Sequence, residues 1–478
     1  MAISSNVAPA AAPLKQTLAS AYIDFTGAGN DWAQQYLPDL MEKEAEIFGN
    51  RTISGFLNKV GAEEAMQSDQ VVWSEQGRLH LAYGGHMNNA TTIDIDTDAD
   101  GQNPGNYKQN GSATQSKDHG IRKGDMLLVA SATTTQTAIV TDVATTEGRI
   151  TVGPYGSALP SSGNIKVLVF GSEYSKGMIG RDEVNTPGFK SYDNKPIIIK
   201  DRYEISGSDA SQIGWVEVAG EEGQGGYLWY LKASGDTKAR FTDYLEMAMI
   251  EAEKVTGTGG TINQNGAVAA EGTEGLFKAL TTRGNESTGI NGVNAATDLA
   301  EFDSILAEFD KNGAIEENMM FVNRATALAM DDMLASMNSY GAGGTSYGVF
   351  QNDENMALNL GFSGFRRGSY DFYKSDWRYL NDRSTRGLIN DMDTVNAIRG
   401  VMIPAGVTSV YDKSLGKNMK RPFLHVRYRS SATDDRKFKT WTTGSVGAVT
   451  SDIDAMEMHF LSERCLVVQG ANNFMLLN

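Results

Sequence analysis

The stretch LSERCLVVQGANNFMLLN closes the chain at residues 461–478, and it joins two apolar runs to the only cysteine, Cys465. A chain terminus usually frays, because few contacts hold it. In this terminus, apolar side chains, which water solvates poorly, come directly after the charged pair Glu463 and Arg464. The sequence therefore predicts that the terminus is held as a strand, with Cys465 as a small core residue and not a nucleophile.

Composition indicates a folded protein of 478 residues, with 40% hydrophobic and 21% charged side chains. That length accommodates two to four domains, or one elongated subunit with inserts. A single cysteine excludes an intrachain disulfide. The sequence has no apolar run long enough to span a membrane and no export signal at the start, so we expect a soluble protein made in the cytoplasm, without a membrane partner.

The charge balance is acidic, with 42 Lys+Arg against 59 Asp+Glu and a net charge of -17. Such a surface repels phosphate backbones, which argues against a protein that reads nucleic-acid sequence. A wall that merely encloses nucleic acid tolerates this sign of charge. Scattered histidines and the absence of metal-ligand spacing also argue against a zinc site, and we expect no cofactor.

Several amphipathic segments predict helices in a mixed α+β fold. The first lies in the N-terminal arm and carries Trp32 and Tyr36 at helical spacing. A long helix is predicted around Phe241 to Ala252, and a second from Asp298, with Glu301 three residues later as a capping arrangement. A strand at 319–322 leads into a helix that begins after Asn323 as N-cap.

Residues 87–180 differ from the rest, because Thr, Ser, Gly and Asn separate short apolar runs there. Short strands at such spacing are typical of a small barrel or sandwich. We expect an inserted β module.

Two oppositely charged stretches predict a subunit interface. Residues 195–223 suggest two extended strands around a Gly/Ser/Asp tip, an acidic arm that reaches away from the body. The run from Asp412 to Lys439 is basic and interleaved with aromatics, which fits nucleic acid or, preferably in so acidic a chain, the acidic arm of another copy. A head-to-tail contact of this kind closes rings or shells, so a large homo-oligomer is expected.

The residues expected at this interface are acids of the arm, bases of the run and two aromatics of the N-terminal helix. They are Glu204, Asp209, Glu217, Glu221, Glu222, Lys413, Lys417, Lys420, Arg421, Arg427, Arg429, Trp32 and Tyr36.

Two further motifs suggest chemistry weakly. Asp96, Asp98 and Asp100 followed by Gly101 match the opening of a calcium loop, but Tyr107 stands where a bidentate Glu is required, and a solvated acidic turn explains the run as well. Ser346 sits in a G-x-S-x-G pattern without the preceding strand of a hydrolase elbow. We therefore expect no enzyme.

The order of parts resembles the major capsid protein of tailed bacteriophages, the Hong Kong 97-type fold. FVNRATALAMDDM (321–333) resembles its strand-then-helix, IPAG (403–406) the bend before a late strand, and AMEMHFLSERCLVVQGANNFML (455–476) its C-terminal return through the core. The resemblance implies that the last strand lies in the middle of a sheet, flanked by earlier segments. Glu463 and Arg464 are then expected near the sheet edge or a subunit contact.

The resemblance also implies a division of the chain into six parts. These are the N-terminal arm and first strand (1–86), the inserted β module (87–180), an extended E-loop (181–224), a P-domain with a spine helix (225–297), an A-domain (298–450) and C-terminal core strands (451–478).

The implied function is structural, as the wall of an icosahedral shell around a double-stranded DNA phage genome. Expected partners are further copies in pentamers and hexamers, a separate scaffolding protein, portal and decoration proteins, and DNA packaged without sequence preference. The expected location is the virion capsid, assembled in the host cytoplasm. Alternatives are a secreted adhesin or surface-layer protein, which the acidic Asp96 run would suit, and an encapsulin-type nanocompartment, which usually needs a shorter chain.

Overall fold

The computed structural model describes most of the chain from residue 62 onward. The described residues are 62–76, 80–98, 119–144, 148–180, 189–208, 217–219, 225–255, 262–264, 268–288, 295–313, 315–339, 363–392, 397–405, 407–412, 417–445 and 449–478. They form two compact units, a smaller one at Val72–Asp193 and a larger one built from the segments on either side of it. No described helix is both long and apolar enough to cross a bilayer.

The smaller unit is a closed six-stranded barrel. After β1 (Ala62–Met66), the chain enters and leaves this unit through β2 (Val71–Gln76) and β9 (Phe189–Asn194), which pair with each other. The barrel order is β3-β4-β7-β6-β5-β8. Its strands are β3 (Ala82–Asn89), β4 (Thr92–Asp98), β5 (Asp125–Ser131), β6 (Thr135–Val143), β7 (Arg149–Pro154) and β8 (Gly163–Ser172).

Alternation of side chains fills the barrel. Along β4, Ile93 and Ile95 are fully buried, and Ile150 of the neighbouring β7 joins the same cluster. Gly85 lies at a register shift between β3 and β4, where a Cβ would come within 2.3 Å of the Asp94 carbonyl oxygen. Only glycine fits this bulge, which bends the strand around the barrel.

A barrel was one of the two architectures predicted for residues 87–180, and the predicted apolar runs form β5, β6, β7 and β8. The compact unit is wider than that range at both ends, and its first barrel strand spans position 86. The six-part division of the chain remains a prediction.

In its described residues, the larger unit combines two main sheets with six helices. Its strands are β10 (Ile197–Ser206), β11 (Glu217–Ala219), β12 (Gly225–Tyr227), β13 (Ile262–Gln264), β14 (Val268–Ala270), β15 (Asn285–Ser287), β16 (Glu317–Val322), β17 (Ser363–Arg367), β18 (Tyr370–Asp376), β19 (Gly400–Pro404), β20 (Val407–Asp412), β21 (Lys417–Pro422), β22 (Leu424–Arg429), β23 (Lys439–Gly444), β24 (Ala455–Val468) and β25 (Met475–Leu477). Its helices are α1 (Leu228–Glu251), α2 (Leu276–Arg283), α3 (Ala295–Asn312), α4 (Arg324–Ser339), α5 (Arg378–Asn381) and α6 (Arg386–Met392), and a 3-10 turn spans Ala471–Asn473. The mixed α+β fold expected from the sequence is confirmed.

The closing segment supplies an interior strand to each of the two main sheets. In the five-stranded sheet, β24 pairs with β10 on one side and with β22 and β23 on the other, and β1 adds to β22. In the six-stranded sheet, ordered β15-β25-β19-β16-β18-β17, the short β25 is the second strand. The expectation that earlier segments flank the last strand is therefore confirmed.

Helices cover the six-stranded sheet. Met475 and Leu477 of β25 pack into the cluster that holds Phe302 and Phe309 of α3, whereas Leu476 points into the cluster shared with α2. This period of two shows that both faces of the sheet are buried. The long helix α1 packs Phe241 against the five-stranded sheet.

Three of the four predicted helices are present, and the one predicted in the N-terminal arm lies outside the described residues. The long helix predicted around Phe241 to Ala252 begins earlier, at Leu228. The helix expected from Asp298 begins at Ala295, so Asp298 lies in the first turn and is buried. At the start of α4, the Asn323 side-chain oxygen accepts a hydrogen bond from the Thr326 amide at 2.8 Å, which confirms the predicted N-cap.

The prediction of an extended arm is wrong for the first half of that segment. Residues 197–206 do not reach away from the body, because β10 pairs along its whole length with β24. Ile199 packs against the cluster of Phe241 and Phe460, and this apolar contact holds the strand in the sheet.

Three two-stranded sheets stand apart from the main sheets in the larger unit: β11 with β12, β13 with β14, and β20 with β21. Among the described residues, each of these strands pairs only with its hairpin partner. We name β11 and β12, with residues 220–224 between them, the acidic ribbon, and β20 and β21, with residues 413–416 between them, the basic ribbon; both connecting segments lie outside the described residues.

Candidate subunit interface

The acids predicted at the interface fall mainly on the acidic ribbon. Glu217 opens β11, opposite Tyr227 of β12, and Glu221 and Glu222 come between the two strands in sequence, outside the described residues. Asp209 is also outside them. Glu204 lies instead on β10, where its side chain is half exposed and 3.4 Å from Arg202.

Four of the predicted bases belong to the basic ribbon. Lys417, Lys420 and Arg421 lie on β21, in register with Asp412, Ser409 and Thr408 of β20. Lys413 comes between the two strands in sequence, outside the described residues.

The other two predicted bases have partners within their own chain. Arg427 Nη2 lies 2.8 Å from Glu64 Oε2, and these two residues also face each other in the β1–β22 register. Arg429 contacts Asp69 and lies 3.6 Å from Glu463. Both arginines therefore tie β1 and its following loop to the five-stranded sheet.

The rest of the basic run is neutralised in the same way. Arg436 Nε lies 2.6 Å from Glu463 Oε2, Lys437 pairs with Glu63, and Lys439 Nζ lies 2.6 Å from Asp434 Oδ1. The basic run thus divides into a part paired within the subunit, at 427–439, and the basic ribbon.

Glu463 and Arg464 do not lie at a sheet edge, which was one of the two positions expected for them, and the other, a subunit contact, stays a prediction. Glu463 is only 7% exposed, and Arg464 pairs in register with Ile197 on one side and Tyr428 on the other. The Arg464 guanidinium donates to the Lys437 carbonyl at 2.9 Å, and its burial lowers the pKa of Arg464. The charges are tolerated in mid-sheet because Arg429 and Arg436 flank Glu463.

A shallow cavity of about 360 Å³ opens on the five-stranded sheet. Arg436, Lys439, Trp441 and Leu461 line it. The Trp441 ring stacks on His459 with centroids 5.1 Å apart, and Thr443 Oγ1 lies 2.7 Å from His459 Nε2. Since both lining cations already contact carboxylates, the cavity does not form an anion site.

The acidic motif at 96–101 begins in a barrel strand and not in a loop. His86 Nδ1 lies 2.7 Å from Asp96 Oδ2, and Arg149 donates to both carboxylate oxygens of the neighbouring Asp94, at 2.6 and 3.0 Å. Asp98 ends β4, and Asp100 is outside the described residues. The described part of the chain contains no group of three or more His, Cys, Asp or Glu arranged to hold a metal ion.

Cys465 is fully buried in β24, and desolvation raises the pKa of its thiol to about 12. A thiol held in its neutral form is a poor nucleophile, which confirms the core role predicted for it. Ser346, Trp32 and Tyr36 lie outside the described residues.

Sequence reasoning placed these charges but missed the ribbons that carry them. The signal was present, because residues 407–412 and 417–422 are two short runs separated by four residues that include Gly416. The acidic ribbon has the same sequence signal, because the residues between its two strands include Gly220 and Gly223.

No family model matches the chain, and no curated protein matches its sequence. Solved structures do match over most of its length. A chain of the capsid of a native GTA particle has 10% identity and a TM-score of 0.38, with 96% of this chain and 99% of that chain covered. A chain from Microbacterium phage Oxtober96 has 9% identity and a TM-score of 0.37, with 92% and 96% covered.

The asymmetric unit of the bacteriophage PhiM1 mature capsid matches at 11% identity and a TM-score of 0.35, over 65% of this chain and 78% of that chain. These three solved structures come from phages or from capsids. At these identities and TM-scores the likeness transfers no residue role to this chain.

Proposed function

We propose that this chain is the wall-forming subunit of a closed shell, in which the acidic ribbon of one copy rests on the basic ribbon of the next. The observation that supports this most directly is the combination of opposite charge and isolation in the two ribbons. Each is a two-stranded sheet whose described strands pair with no other strand.

Isolation matters because a two-stranded hairpin is marginally stable in water unless something packs on it. Each ribbon therefore gains from a surface outside itself, and opposite charge makes the other ribbon a suitable one. Glu217, Glu221 and Glu222 give one ribbon its negative charge, and Lys413, Lys417, Lys420 and Arg421 give the other its positive charge.

The geometry of such a contact favours a closed assembly. The two patches differ, so every copy offers one of each, and head-to-tail repetition closes into rings and shells when the rotation permits. Contacts of about 4–8 kcal/mol each are sufficient, because every subunit makes several.

We extend the proposal to an icosahedral phage capsid around double-stranded DNA. In this assignment α1 is the spine helix, residues 1–61 are part of the N-terminal arm, and 207–224 are the remaining part of the E-loop. Pentamers and hexamers of the chain would form the wall, with a separate scaffolding protein, a portal and decoration proteins as partners. The net charge of -17 suits a wall that holds DNA without sequence preference.

Electron microscopy and light scattering of the purified full chain test this proposal. We expect closed particles with diameters on the order of tens of nanometres, built from many copies. A species that remains at the 51.6 kDa of one chain under all conditions of salt and concentration contradicts it.

A further inference from the structure

The outer face of the barrel carries an uncovered apolar strip. Along β8, Ile165 and Val167 point inward and are nearly fully buried, whereas Leu168 and Phe170 are 40% and 52% exposed. Two large side chains that alternate with a buried set stand on the outside of the barrel. Exposed apolar side chains that adjoin each other mark contact surfaces, unlike single scattered ones.

The strip continues onto the neighbouring strand. Leu128 of β5 faces Leu168 in the antiparallel register and is half-buried, so the two side chains lie side by side on the outer face. Tyr155, which is 49% exposed, donates its hydroxyl to Glu173 just beyond the end of β8.

Charges of opposite sign mark the two ends of this strip. Lys166 is exposed on β8 before Leu168, and Glu173 follows the last residue of the strand. The seven steps from Lys166 to Glu173 span about 23 Å in an extended strand. An apolar centre with charged ends is the arrangement expected of a small interface.

We propose that this strip packs face to face on the same strip of a second copy, about a two-fold axis that passes near Val169 and Phe170. With this two-fold axis between the two faces and perpendicular to β8, the two β8 strands are antiparallel, so Lys166 of each copy lies opposite Glu173 of the other. The strip is therefore complementary to itself in both its apolar centre and its charges. This inference uses the barrel alone and is independent of the ribbon contact.

The contact is small, so it is weak for a single pair of copies. Covalent trapping in the full-length protein measures it best. A Phe170→Cys variant places a thiol beside the axis, within reach of its equivalent in the other copy through a short bismaleimide, since packed sheet faces lie about 10 Å apart. The native Cys465 does not interfere, because it is fully buried.

Asn88→Cys is the matched control, since Asn88 is exposed at the end of β3, away from the strip. We expect a covalent dimer from Phe170→Cys and little from Asn88→Cys. Equal yields from both variants, or no dimer from Phe170→Cys, overturn the proposal. Slow maleimide labelling of Phe170→Cys without dimer formation means that another segment or protein covers the strip, and this also overturns it.

Charge reversal in the Phe170→Cys background tests the register. Lys166→Glu and Glu173→Lys each place like charges together at two symmetric positions, and we expect each to weaken trapping by about threefold to thirtyfold. The double variant restores the opposite pairing and recovers the yield, while unchanged thermal unfolding shows that the barrel is intact. A double variant no better than the single ones contradicts the two-fold arrangement.

Particle formation separates the two proposals. Shells without trapped dimers would overturn the barrel contact and leave the proposed function in place, whereas trapped dimers without shells would do the reverse.

Discussion

The barrel and the five-stranded sheet of the larger unit are built from the chain in opposite ways. All six barrel strands come from residues 82–172, and each pairs with strands of that same segment. In the five-stranded sheet, β1 at residue 62 instead pairs with β22 at residue 425, and β22 in turn pairs with β24 near the end of the chain. Local pairings form early and long-range ones late, so the barrel should fold without the chain ends and the sheet should not.

Deletion of residues 455–478 should have the largest effect on the larger unit and should leave the barrel folded. It removes β24 and β25, which are interior strands of the five-stranded and the six-stranded sheet. We expect the larger unit to lose its fold and the barrel to keep it, because no barrel strand pairs with the deleted residues. Limited proteolysis with mass spectrometry would then yield a protected fragment near Val72–Asp193. Protection of the larger unit at the level of the intact chain contradicts the prediction.

Single core substitutions sharpen the comparison. Phe460 is 2% exposed in β24, against Phe241 of α1, with ring centroids 5.8 Å apart. Phe460→Ala should destabilise the larger unit by about 3–5 kcal/mol, and Ile150→Ala should destabilise the barrel by about 2–5 kcal/mol. Calorimetry should show each variant lowering a different transition. If both lower the same transition equally, the two units do not unfold separately.

Substitution of Asn194, where the chain re-enters the larger unit, should destabilise that unit less. Its side chain donates to the carbonyls of Leu466 and Glu274 and accepts from Thr273 Oγ1, at 2.6 to 3.1 Å. Asn194→Ala leaves buried groups without partners, at a cost of about 1–3 kcal/mol. Urea unfolding of the larger unit measures it. The exposed Lys200→Ala, on the neighbouring β10, is the control and should be close to neutral.

The last effect concerns Cys465, is absent at neutral pH and appears only in alkaline solution. Because burial raises the pKa of this thiol from 9.0 to about 12, the folded state holds its proton more tightly than the unfolded state does. Its contribution to stability is therefore complete below pH 9 and is lost as the pH rises toward 12. Urea unfolding across that range should show a steeper decline for the wild type than for Cys465→Ala. Equal slopes contradict the assignment.

The sequence predicted correctly those helices and strands whose pattern is set by residues close together in the chain. The helix around Phe241 and the N-cap at Asn323 were found because capping and helical spacing are properties of neighbouring residues. Four of the six barrel strands, β5 to β8, were predicted for a similar reason, since turn residues separate their apolar runs.

Pairing partners that lie far apart in sequence could not be predicted in this way. Residues 197–206 alternate like an exposed arm, and nothing within them reveals that β24 pairs along their whole length. The charge of Glu463 and Arg464 suggested an edge, because the sequence does not show that Arg429 and Arg436 come to lie beside Glu463. For the same reason, the sequence did not show that the basic run divides into a part paired within the subunit and the basic ribbon.

Charge reversal of the acidic ribbon is the measurement that tests the central claim most directly. The triple variant Glu217→Lys, Glu221→Lys and Glu222→Lys should fold, yet electron microscopy should show no closed particles, because like charges would then meet on the basic ribbon. Adding Lys417→Glu, Lys420→Glu and Arg421→Glu to the same chain should restore them. Normal particles from the triple variant would show that the ribbons do not hold the wall together.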